Sequence, residues 1–325
     1  KYKSPRGPAH VMATNPTYGN NDLPLQQNSG GPIKETPAQL EGGFQCGNIP
    51  FTGIPLAVHK LFPAYIVLSS IVGFIDATTE AGLLNMLIVG PVLFSTVLVH
   101  ELGHCAGTFY TGGRVAGILL WPLGGLAFVG SSGEARHNLL ISLAGPATHL
   151  PQSLFWLMML AAGNQGDVSM TLQGDFGPDL CRQAIIINIS LLLFNLCVPA
   201  YPLDGGQIFV SSLLLCGVGV NTVAPITLGV SATLSVAIIS LGIYLWNFMA
   251  VFVGLWVLYQ NYQLYQCVKE GRLEQHPLFA KYVQGGGDGG GVRGGDAGRG
   301  GSSEAAGGRP GSTSISGALG GGGRV

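Results

Sequence analysis

The chain has 325 residues, 47% of them hydrophobic and only 10% charged, with a formal net charge of -1. Soluble domains carry about 25% charged residues, so this composition, with a mean hydropathy of +0.41, excludes an ordinary soluble domain and indicates a polytopic membrane protein. There is no basic face for nucleic acid, and the six cysteines lack the paired spacing of a disulfide scaffold.

Residues 1–58 are rich in Pro, Gly, Asn and Gln without a hydrophobic period, and read as a flexible N-terminal arm. The first apolar segment, "LFPAYIVLSSIVGFI" at 61–75, is short but able to span with its flanks. The second runs from Gly82 to about Tyr110. After it comes "GGRVAGILLWPLGGLAFVG", residues 112–130, with paired glycines at its start and β-branched and aromatic residues within. This stretch reads as a short re-entrant or β-hairpin loop rather than a helix.

A third segment covers 139–162, where Pro146 and Pro151 are expected to bend it. The fourth extends from near Gln183 to Pro199, followed by "AYPLDGGQI" and more apolar sequence to Val218. Asn221 to Gln266 is too long for one span, and Gly242 with Asn247 suggests a break into two. The expected fold is therefore all-α and polytopic, with about six transmembrane helices. Its membrane-embedded domain occupies 59–268, with a short cytoplasmic-side segment at 269–284 and a disordered Gly-rich tail at 285–325. A cytoplasmic N-terminus would put Lys60, Arg114, Arg136, Lys269, Arg272 and Lys281 inside, in agreement with the positive-inside rule.

Two acids do not fit a loop position. Glu101 and Asp204 sit in otherwise apolar segments, and an ionised group there needs a partner or water. Both segments descend to the same face, so both acids arrive at similar depth. "VLVHELGHCAG", residues 97–107, brings His100 and His104 with them. On a helix, positions i and i+4 share a face, so these two imidazoles can bind one zinc ion. Glu101 is then placed to accept a proton from the attacking water and pass it to the leaving amine. A catalytic zinc wants a third protein ligand, and Asp204 and Glu134 compete for that place. Glu134 lies in "GSSGEARHN" beside Arg136 and His137, where a solvated pair satisfies it. Asp204 has no such neighbour, so Asp204 is the expected ligand.

"HELGH" in an apolar span, then "WPLGGLAFVG", "SLAGPATH" and "FNLCVPAYPLDGGQI", resemble the site-2 protease family of intramembrane zinc metalloproteases. The resemblance covers roughly residues 60–265 and rests on four ordered motifs. It implies one zinc ion per chain held by His100, His104 and Asp204, with Glu101 as general base and Asn195 helping to position the substrate. Many members have asparagine after "AGPxx" where this chain has His149, which leaves open a role for His149 near the scissile bond. Gly124 and Gly125 would let a substrate strand approach the loop backbone. No insert is long enough for a PDZ domain, so the chain resembles the compact members. The implied function is hydrolysis of peptide bonds in or near transmembrane segments of membrane-protein substrates within the lipid bilayer. The alternative is a catalytically inactive relative that binds membrane proteins. A metal transporter would favour further ionisable residues along the spans, whereas these cluster at one depth.

Overall fold

Short runs with a period of two and long apolar runs alternate along this chain, and each builds its own kind of element. The structure, a computed structural model, describes residues 43–76, 79–122, 124–130 and 133–285. Most of the expected N-terminal arm (1–42) and of the Gly-rich tail (286–325) lies outside the described residues.

Strands β1 (Phe44–Asn48), β2 (Pro55–Val58), β3 (Arg114–Trp121) and β4 (Gly124–Gly130) form one sheet in that order. β1 and β2 pair antiparallel, β2 and β3 parallel, and β3 and β4 antiparallel, with Trp121 opposite Gly124 at the turn end. The alternation is visible in the packing. Leu56, Val58, Ile118 and Leu120 point to one face, while Ala57 and Leu119 point to the other with Phe128. Residues 44–58 therefore correct the expectation of a flexible arm running to 58. β2 is only four residues long, and its partner Ile118–Leu120 lies some sixty residues away, so no local period reveals it.

The rest is helical: α1 (Leu61–Asp76), α2 (Thr79–Leu87), α3 (Leu93–Tyr110), α4 (Ala135–Ala147), α5 (His149–Gly163), α6 (Phe176–Cys197), α7 (Asp204–Leu215), α8 (Val220–Tyr244), α9 (Phe248–Glu270) and α10 (Pro277–Gly285). A π-helical turn at Ile88–Val92 joins α2 to α3 and contains Pro91. Proline offers no N–H and crowds the preceding turn, so a widened turn keeps the helical run going. Pro146 lies inside α4, and the helical run is interrupted at Thr148, between α4 and α5. Asn247 separates α8 from α9, and its Oδ1 accepts from the Ala250 amide at 3.0 Å to cap α9.

Among the described residues, Thr79–Tyr110, Phe176–Cys197 and Val220–Tyr244 are long and apolar enough to cross a membrane. At most 33% of any of these spans is buried within the chain, so most of their apolar surface faces outward, as lipid solvation requires. The segment 269–284 is more than a tail-side connection. Leu273, Leu278, Phe279 and Tyr282 are buried in one core with Tyr201, Val210, Val223 and Leu264 from the α6–α7 connection, α7, α8 and α9. Tyr282 and Ser211 join α10 to α7 by a buried hydrogen bond of 3.0 Å.

Candidate metal centre

The face of α3 that packs inward carries His100, Glu101, Gly103 and His104, all buried. Close helix contact makes this possible. A Cβ on Gly103 would come within 2.5 Å of the Ala144 carbonyl oxygen, and one on Gly107 within 3.0 Å of the Ala144 Cβ. The two glycines therefore let α3 and α4 approach at backbone distance. That approach brings the Ile141 carbonyl of α4 to 2.7 Å from His104 Nδ1.

Asp204 arrives as the first residue of α7. Gly205 and Gly206 serve here through space rather than through unusual dihedrals. Cβ atoms on them would lie 2.2 Å from the Val198 oxygen and 2.5 Å from the Tyr201 nitrogen. Their absence lets the α6–α7 connection fold tightly against the start of α7, which delivers a short carboxylate to α3.

His100 Nε2 lies 3.1 Å from His104 Nε2 and 3.0 Å from Asp204 Oδ2, and His104 Nε2 lies 3.2 Å from Asp204 Oδ1. A tetrahedral zinc site with bonds of 2.0–2.1 Å has ligand-to-ligand edges of about 3.3 Å. The polarity of the donors also fits. The Ile141 carbonyl can only accept, so His104 Nδ1 carries the hydrogen and Nε2 of the neutral ring presents a lone pair. That lone pair faces carboxylate oxygens that also only accept, an arrangement that calls for a cation between them. The three side chains form a buried group able to hold a metal ion.

Glu101 is 5% exposed and lies beside this group. The backbone at Ala127 on β4 runs beside its carboxylate. A Cβ on Gly125 would come within 2.3 Å of Glu101 Cγ, so β4 can run alongside the acid only with glycine at 125. Gly124 differs: its φ of +141° opens the strand, and a Cβ there would meet nothing within 4 Å.

The other expected site residues fall in different places. Glu134 lies away from the group, exposed and 3.6 Å from His137 Nε2. Asn195 is half-buried near the end of α6, its carbonyl packed against the backbone at Gly205. His149 lies buried directly behind the donor group. It has no exposed surface, and its ring nitrogens lie 3.1 Å from His100 Nδ1 and 3.0 Å from Asn188 Oδ1. Sequence reasoning passed over Asn188. The available signal was a lone amide inside "AIIINISLLL", a group that needs a hydrogen-bonding partner at membrane depth.

No family model matches the chain. It is similar to a zinc metalloprotease of Methanocaldococcus jannaschii, 27% identical over 63% of this chain and 56% of the relative. A Synechocystis sp. protein provisionally named a zinc metalloprotease is 33% identical over 54% of this chain and 46% of its own length. The stage IV sporulation protein FB of Bacillus subtilis is 33% identical over 36% of this chain and 37% of its own. The chain thus spans about half the length of the first two relatives and less of the third. Among solved structures, a site-2 protease from Methanocaldococcus jannaschii aligns over 68% of this chain and 94% of its own, with a TM-score of 0.48 and 24% identity.

Proposed function

We infer from the buried donor group and the named relatives that this chain is a zinc metalloprotease of the site-2 protease kind, hydrolysing peptide bonds in or near transmembrane segments of other membrane proteins. The observation that carries this reading is the convergence of His100 Nε2, His104 Nε2 and the Asp204 carboxylate at 3.0–3.2 Å, beside the buried Glu101. Three protein ligands leave a four-coordinate ion one open position, the pattern of catalytic rather than structural zinc. When bound, one zinc ion per chain supplies Lewis-acid chemistry, activating water and polarising the scissile carbonyl.

The chain's own residues do the rest. Glu101 accepts the proton of the attacking water and returns it to the leaving amine. The close packing of β4 at Gly125 holds its carboxylate in position for that transfer. A substrate helix hides its carbonyls in hydrogen bonds and must unwind locally before attack. β4 is an outer strand of the sheet, with its first residues against Glu101. The unwound segment adds to that edge as a further strand, where Gly124 and Gly125 present no side chain to obstruct it. Asn195 assists in positioning the substrate. In this reading the chain crosses the bilayer about six times, with its N-terminus on the cytoplasmic side.

The test is metal analysis of the purified chain, together with cleavage of a panel of single-span substrates by wild type and Glu101→Gln. The amide keeps the side chain's size but takes no proton, so zinc content should hold while cleavage drops roughly 100- to 10,000-fold. Wild-type protein without zinc, or near-normal cleavage by Glu101→Gln, sinks the reading.

A further inference from the structure

His104 has its tautomer set by a backbone carbonyl, but among the described residues His100 has no such carbonyl. Its Nδ1 meets the Nε2 of His149, a second imidazole that could either donate or accept. The partner of His149 on α6 decides between them. Asn188 Nδ2 donates to the Ala184 carbonyl at 2.9 Å, which orients the amide and turns Oδ1 towards His149. Oδ1 only accepts, so His149 Nδ1 must carry a hydrogen. In the neutral ring His149 Nε2 is then an acceptor, and His100 Nδ1 must donate to it. The hydrogen of neutral His100 is thereby committed to Nδ1, and its Nε2 lone pair is left facing Asp204 and His104.

We propose that His149 and Asn188 are positioning residues whose directional hydrogen-bond chain, from Asn188 Oδ1 through His149 to His100 Nδ1, holds His100 in its metal-binding tautomer and ring orientation. The inference rests on the reading of His100 as a zinc ligand. It assigns to His149 a task unrelated to substrate contact. The chain joins three helices, α3, α5 and α6, and each member is buried: His100 is 7% exposed, and His149 and Asn188 have no exposed surface. Water is therefore poorly placed to substitute for a missing member. Partners behind a metal-bound histidine typically change metal affinity by about 10- to 100-fold.

The experiment measures zinc affinity of the purified full chain by competition with a chelator at fixed neutral pH, with thermal unfolding of the zinc-free form as the folding control. His149→Leu removes the acceptor and should weaken zinc binding roughly 10- to 100-fold. His149→Gln keeps an acceptor oxygen for His100 and should stay within about fivefold of wild type, a recovery that side-chain volume alone does not give, since leucine and glutamine are of similar size. Asn188→Leu frees the His149 tautomer and should fall between them, while Asn188→Asp retains the acceptor and should bind at least as tightly as Asn188→Leu. This second position keeps the test sharp if His149→Leu fails to fold. Wild-type affinity in both leucine variants overturns the proposal, as does an equal loss in His149→Leu and His149→Gln. Failure of the underlying reading looks different: His100→Ala would then bind zinc as wild type does, and the proposal would fall with it.

Discussion

Gly145 of α4 lies so close to His104 of α3 that a Cβ on it would come within 2.3 Å of Nε2 and 2.4 Å of Cε1. The imidazole has no free direction in which to yield, because its Nδ1 is held by the Ile141 carbonyl. Gly145→Ala should therefore displace the ring and weaken zinc binding by roughly tenfold or more. Chelator competition on the purified variant measures this; unchanged affinity would show that α4 shifts instead.

Gly125 stands in the same relation to Glu101, but the expected consequence differs. Gly125→Ala drives a methyl into the Glu101 side chain and leaves His100, His104 and Asp204 untouched. Zinc content should stay near wild type while cleavage falls roughly 100-fold, the scale of an ångström-sized misplacement of a reacting group. A parallel loss of metal would mean that the two halves of the site are not separable.

Asp204→Ala should lower zinc occupancy and abolish cleavage, because two imidazoles make a poor site for the ion. Glu134→Ala should do neither, since its carboxylate is exposed and lies 3.6 Å from His137. Elemental analysis of the two variants side by side decides between them.

The turn that leads into α10 carries a pH dependence of its own. His276 sits between the rings of Tyr201 and Phe279, and its Nδ1 accepts from the Leu278 amide. Burial holds its pKa at about 4, below the ordinary 6.5. Below pH 6.5 the unfolded chain takes up a proton that the folded chain refuses until about pH 4. The contribution is thus whole above 6.5, declines as pH falls through that window, and is lost below about 4. At most about 3 kcal/mol is involved. Thermal unfolding in detergent at pH 7.5 and 4.5 should show a larger drop for wild type than for His276→Asn; identical drops would remove His276 as the cause.

A chain ending after Gly285 should retain cleavage close to that of the full chain. One ending at Gly271 removes Leu273, Leu278, Phe279 and Tyr282 from the core they share with α7, α8 and α9. At about 2 kcal/mol for each large apolar side chain withdrawn from the core, the shorter chain should unfold at a markedly lower temperature and bind zinc poorly. Unfolding temperature of the zinc-free forms is the measurement, and equal values would show that α10 is dispensable.

The buried histidine pair, the acid beside it and the apolar spans were legible in the sequence because each has a short-range physical signature. His100 and His104 share a face through helical spacing alone, and Glu101 and Asp204 are conspicuous as charges in apolar runs. The break at Asn247 likewise follows from local chemistry. What tertiary structure alone decided concerns contacts between residues far apart in the chain. The pairing of β2 with β3, the docking of Tyr282 on Ser211 and the chain from Asn188 through His149 to His100 join segments 39 to 71 residues apart or similarly distant. A hydrogen bond's direction depends on what each partner's other atoms are already bonded to. No spacing along the sequence carries that information, which is why the partners of the two His149 nitrogens, His100 and Asn188, are decided by the tertiary structure alone.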